Sequence, residues 1–150
     1  MRSEVEELIE AIQDEADAID DLVDVVREQR EAMKARDPIE VDDLMKEMRE
    51  IFFDVQTQES LREDLAKKLA ARFGSEPRAN SLSALMEEDE RALFNGAADR
   101  LTQSVFVLKS EMMILNGLVD QNERYTSMLL SEWRRLMGDV SQPGATDFRG

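Results

Sequence analysis

The 150-residue chain contains no cysteine and no histidine. Without cysteine it can form no disulfide, thiolate metal site or thiol nucleophile, which suits a cytosolic protein and leaves the redox compartment unconstrained. Without histidine, imidazole-based triads, histidine zinc sites and the Glu-x-x-His pairs of di-iron bundles cannot be built. Structure breakers are scarce, with six glycines and three prolines, and aromatics make up 5% of the residues, with a single Trp and a single Tyr. Together with 35% charged residues, this is the profile of a helical bundle or coiled coil rather than a sheet protein. Long apolar runs are missing as well. The longest, Val105 to Leu108 and Met112 to Leu115, have four residues each, far short of a membrane span. The start, Met1-Arg2-Ser3-Glu4-Val5-Glu6-Glu7, lacks the basic region and apolar stretch of a signal peptide.

Basic residues are the minority, 19 against 34 acidic, for a net charge of −15. Such a chain repels phosphate backbones and anionic lipid, so neither nucleic-acid binding nor membrane insertion is expected. The carboxylates lie on helix faces without a cleft to raise a pKa, and no glycine-rich phosphate loop is present. No enzyme activity, metal or cofactor is expected from such a pattern.

What the chain does contain is heptad periodicity. Val5, Ile12, Ile19, Val26 and Met33 repeat at intervals of seven, with Leu8 and Leu22 beside them, which predicts a first helix over about 3–35. Its acidic start and its basic end, Arg27, Arg30, Lys34 and Arg36, suit the helix dipole. Asp37-Pro38 ends it and caps a second helix over about 38–73, which the short connection forces to fold back antiparallel. Val41, Leu44, Met48, Ile51, Val55, Leu65 and Leu69 form its apolar seam, interrupted by Gln58 and Arg62. On the first helix Glu15 interrupts the matching series at about the same level. A polar layer of Glu15, Gln58 and Arg62 is therefore predicted, with Glu15 facing Arg62 and fixing the register of the hairpin. Gly74 sits where a C-cap glycine belongs, and Gly74 to Ser81 reads as a loop.

A third helix is predicted over about 82–137, capped by Ser81 or Ser83. Its ladder Phe94, Leu101, Leu108, Leu115, Asn122, Leu129, Leu136 runs beside Ala98, Val105, Met112, Val119, Thr126, Trp133. A path from Leu85 to Met137 would span roughly 80 Å, against roughly 50 Å for each of the two preceding helices. Gly117 leaves open whether this helix is continuous or bends there. Residues 138–150 show no periodicity and read as a flexible tail. The expected fold is thus all-α, a single helical domain over 1–137 built as an antiparallel bundle or coiled coil of three long helices. Leu118, Val119, Asn122, Tyr125, Thr126, Leu129, Leu130, Trp133, Leu136 and Met137 form a broad stripe carrying the only Trp and Tyr. A core face shows the same spacing, but the length mismatch marks the stripe as the candidate partner-binding surface.

These residues resemble the FlgN-like flagellar export chaperones over nearly the full length. The resemblance rests on RDPIEVDDL (Arg36 to Leu44), the Glu59/Arg62/Leu65 pattern in QESLREDLAKKLA, SLSALM (Ser81 to Met86) and NERYTSMLL (Asn122 to Leu130). Tyr125 stands where the family often carries a second Asn. The resemblance implies a cytoplasmic chaperone that binds the terminal helical segments of hook-associated (hook–filament junction) proteins. It would prevent their premature assembly and deliver them to the flagellar type III export machinery. The alternative reading is a structural coiled-coil or bundle protein that self-associates, as a homodimer for example, through its C-terminal stripe.

Overall fold

The computed structural model describes residues 3–119, with the side chain of Val119 excepted, and the chain is helical with no strand among them. Four helices follow in order: α1 (Glu4–Lys34), α2 (Pro38–Phe73), α3 (Ala79–Ala84) and α4, described over Glu88–Val119.

Local chemistry sets most of the boundaries. Ser3 caps α1, its Oγ accepting from the Glu6 amide at 3.1 Å, and Glu4, Glu6 and Glu7 complement the helix dipole. α1 ends in a Schellman turn: the Asp37 amide donates to the Ala32 carbonyl and the Arg36 amide to that of Met33, both at 3.1 Å. The left-handed residue of this turn is Arg36, at φ 55°, where glycine is usual. Asp37 then caps α2 by accepting from the Glu40 amide at 3.1 Å, and Pro38 takes the first helical position. α2 closes with the same device in its ordinary form. Gly74 adopts φ 69° and the Ser75 amide donates to the Ala70 carbonyl at 2.9 Å.

The third predicted helix does not start as one piece. Ser81 and Ser83, expected as caps, lie inside the short α3, and the chain breaks over Leu85 to Glu87 before α4 begins. The break is held by Arg91 on the first turn of α4, which donates from Nε to the Ser83 carbonyl at 2.8 Å and from a terminal nitrogen to that of Met86 at 2.7 Å. A cation on the last carbonyls of a helix satisfies groups that have no partner within it. The turn also buries Leu82 and Met86.

α1 is the central element. It approaches both α2 and α4, whereas no Cα of α2 comes within 8 Å of one in α4 among the described residues. Accordingly its buried arc is wide: beyond the Val5–Ile12–Ile19–Val26–Met33 series it includes Ala11, Val25 and Ala32 on one flank and Ala16 and Val23 on the other. On α2 the seam runs Val41, Met45, Met48, Phe52, Val55, Arg62, Ala66, Leu69. Phe52 is fully buried, while Ile51 and Leu65, expected in the seam, pack against it half-buried. Each fully buried side chain of this kind contributes roughly 1.5–3 kcal/mol.

Candidate client-binding surface

Two polar features cross the apolar interior. Arg62 donates from Nε to Glu15 Oε1, and both side chains are shut from solvent, at 0% and 1% exposure. Glu15 and Arg62 thus meet where the two apolar ladders are each interrupted. Burial is the largest influence on Glu15 and raises its carboxyl above the ordinary value, with the attraction of Arg62 acting against it. Gln58 is half-buried, with Oε1 inaccessible and without a hydrogen-bond partner. The second feature lies nearer the α1–α2 turn. Gln29, also fully buried, donates to the Val41 carbonyl at 3.2 Å, and nothing in the sequence pattern had marked it apart from its place in the heptad.

α4 runs parallel to α1 and is pinned to it at two levels. Arg100 pairs with Asp17 and, at 3.0 Å, with Asp20, while Ser104 donates to Asp20 at 2.7 Å. Further along, Glu111 receives Arg30 at 2.7 Å and Arg27 at 3.4 Å. Between and beyond these ties, Phe94, Leu101, Leu108, Met112 and Leu115 are buried against the hairpin. The N-terminal half of the long apolar ladder is therefore core.

The register fixes where this cover ends. Arg30 and Glu111 are level, and four residues further along both helices Lys34, the last residue of α1, comes level with Leu115. Beyond Lys34 the chain doubles back into α2, the Asp37 amide bonding to the Ala32 carbonyl, so the described part of α4 passes the hairpin turn by about one helical turn. Gly117 lies within the helix, exposed, with nothing near the position a Cβ would occupy. The helix continues through it as far as Val119.

Of the residues expected to bind a partner, Leu118 is half-buried at the edge of the core and Val119 is the last described helical position. Asn122, Tyr125, Thr126, Leu129, Leu130, Trp133, Leu136 and Met137 lie outside the described residues, as does the expected tail. Asn116, one turn before this boundary, has its side-chain oxygen inaccessible and unpartnered. Among the described residues no group of His, Cys, Asp or Glu is placed to hold a metal ion, and no helix is long and apolar enough to cross a membrane.

Compared with known proteins, residues 1–139 match the family model described as FlgN protein. No curated protein and no solved structure matches the chain.

Proposed function

Since this chain belongs to the FlgN family of flagellar export chaperones, we propose that its clients are the hook–filament junction proteins. It holds their terminal helical segments in the cytoplasm until export through the flagellar type III apparatus. The observation that carries this reading is the register of α4. Its heptad ladder is covered by the hairpin up to Leu115, the level at which α1 ends. In the sequence the ladder goes on to Met137. The stripe from Leu118 to Met137 thus starts where α1 and α2 run out of length to shield it.

Leu118, Val119, Asn122, Leu129, Trp133 and Leu136 form the contact face, and Tyr125 touches either the client or the export gate. An amphipathic client helix packs against such a stripe by its own apolar side, as in other helix-in-groove complexes. Trp and Leu at the centre of the face act as anchors, each worth roughly 2 kcal/mol or more on truncation. Masking an assembly-forming helix needs neither hydrolysis nor a cofactor.

The test is binding of a junction-protein terminal peptide to Leu129→Asp and Trp133→Asp variants, with helical circular dichroism recorded alongside. Loss of binding with the helical signal kept is the expected result. Loss of the fold instead would assign these residues to the core. Light scattering at low and high concentration, with and without the peptide, covers the structural alternative: an obligate oligomer indifferent to the peptide would overturn the chaperone reading of the stripe.

A further inference from the structure

The two neighbours of α1 stand apart. Glu15 and Gln29 face α2, through Arg62 and the Val41 carbonyl, while Asp20 and Arg27 face α4, through Ser104 and Glu111. No Cα of α2 comes within 8 Å of one in α4 among the described residues. At roughly 100° per residue, Ile12, Ile19 and Val26 lie on the arc of α1 between those two sides and look into the space between α2 and α4. On α4, Ala98, Val105 and Asn116 lie about 100–160° around the helix from Arg100, Ser104 and Glu111, the residues that reach α1. Phe52 enters the same space from α2.

α2 and α4 are too widely spaced to seal these rows against each other, yet the rows are sealed. Ile12, Ile19, Val26 and Phe52 are at most 1% exposed, Ala98 and Val105 4%, and the side-chain oxygen of Asn116 is inaccessible. α1, α2 and α4 thus hold three corners of a four-helix arrangement, and apolar rows look toward the fourth. At one end of that corner α3 approaches both α2 and α4. At the other, α4 delivers the chain at Val119.

We infer that residues 124–137 of the same chain fill this fourth corner in the free protein, running antiparallel to α4. Length, composition and charge select this occupant. The corner extends from Ala98 to Asn116, roughly 27 Å along α4. The wholly polar run Asp120-Gln121-Asn122-Glu123 gives the chain a place to reverse, and the 14 residues after it make roughly 21 Å of helix. They carry Tyr125, Leu129, Leu130, Trp133, Leu136 and Met137 to meet the apolar rows, and three basic residues against one acidic in a chain of net charge −15. The consequence for the client rests on the function proposed above: the stripe leaves the corner before a client helix covers it, so binding is an exchange.

The experiment uses the full chain, whose lone Trp133 is a donor and whose lack of cysteine allows one acceptor fluorophore to be placed at will. Gln103→Cys on α4 and Phe53→Cys on α2 are exposed positions, and circular dichroism checks that each variant keeps its fold. In dilute free protein, a label at either position should remove most of the Trp133 emission. A helix continuing straight from α4 would hold Trp133 roughly 45 Å from Gln103 and leave the emission intact. Loss from only one label, or from neither, overturns the inference. So does loss that appears on mixing labelled Trp133→Phe chains with unlabelled parent chains, which would make the occupant a second copy. Adding a junction-protein terminal peptide should restore the emission, and a bound peptide that leaves it quenched overturns the exchange. A peptide that does not bind counts against the client reading, while the free-protein measurement still decides the docking.

Discussion

Glu15 and Arg62 provide the sharpest test of how the hairpin is held together. Both side chains are essentially inaccessible to water, so removing either one strands a charge in the interior. Glu15→Leu alone and Arg62→Met alone should each cost about 3–5 kcal/mol. That is a large part of the roughly 5–15 kcal/mol available to a domain of this kind. Glu15→Leu combined with Arg62→Met removes both charges and fills the space with apolar atoms. The double variant should match the parent chain or exceed it by up to about 4 kcal/mol. The coupling between the sites therefore reaches several kcal/mol, well above the few tenths expected of independent positions. Urea unfolding followed by helical circular dichroism measures all four corners of the cycle at neutral pH. Additive losses would refute the reasoning, because they would mean that neither charge depends on the other. The same pair bears on register. Sliding α2 by one heptad would set Glu15 against Val55 or Leu69, both buried apolar residues, and leave its carboxylate without a partner. The double variant should consequently be at least as stable but less strict in its helix alignment, which disulfide trapping between cysteines introduced on α1 and α2 would report.

Other expectations follow from single features. Because burial lifts the Glu15 carboxyl above its ordinary 4.5, the folded chain holds that proton more tightly than the unfolded one. Its contribution is fully present below about pH 4.5 and is lost as pH rises through the raised value. The melting temperature of the parent minus that of Glu15→Gln should therefore fall as pH is raised from 4.5, and a flat or rising difference would contradict the assignment. Arg36, in left-handed geometry at φ 55°, should gain about 1 kcal/mol in urea unfolding on Arg36→Gly, whereas Gly74→Ala, at φ 69°, should lose a similar amount. Arg91→Ala deprives the Ser83 and Met86 carbonyls of their donor. Hydrogen exchange should then speed up in α3 and the first turn of α4 while α1 and α2 keep their protection.

Legibility in the sequence followed the range of the interactions. The end of α1 and both ends of α2 could be read because Asp37-Pro38 and Gly74 act on backbone groups a few residues away. The opposition of Glu15 and Arg62 could be read because two heptad ladders joined by a short turn allow counting outward from Asp37. The break between α3 and α4 could not, since no glycine or proline stands at Leu85 to Glu87. It depends on a guanidinium reaching back from Arg91. Arg36 misled in a different way: it reads as a basic residue completing a helix end, while the turn asks of it a backbone conformation that glycine adopts more easily. Gly117 suggested a bend, yet Leu115 before it is buried against the hairpin and Leu118 after it packs on the core. Packing of that kind outweighs the roughly 1 kcal/mol that a helical glycine costs. As for the candidate site, the sequence marks its chemistry over Leu118 to Met137, and the described residues contribute its starting level.

That starting level changes what the length mismatch means. Measured on the sequence, the third helical path was too long for its partners as a whole. Measured against the register of α4, the excess is not shared along the path but gathered at one end. Phe94 to Leu115 is consumed in burying the open side of α1, with Arg100 and Glu111 locking α4 in step. A client helix that competed for that stretch would have to displace the core and break buried contacts. A client helix on the stripe after Val119, as proposed, leaves the buried contacts of Phe94 to Leu115 in place. Under the proposed function, client binding draws on the part of the ladder after Val119 and folding on the part before Leu115, so substitutions after Val119 should separate client affinity from stability, whereas substitutions before Leu115 should not.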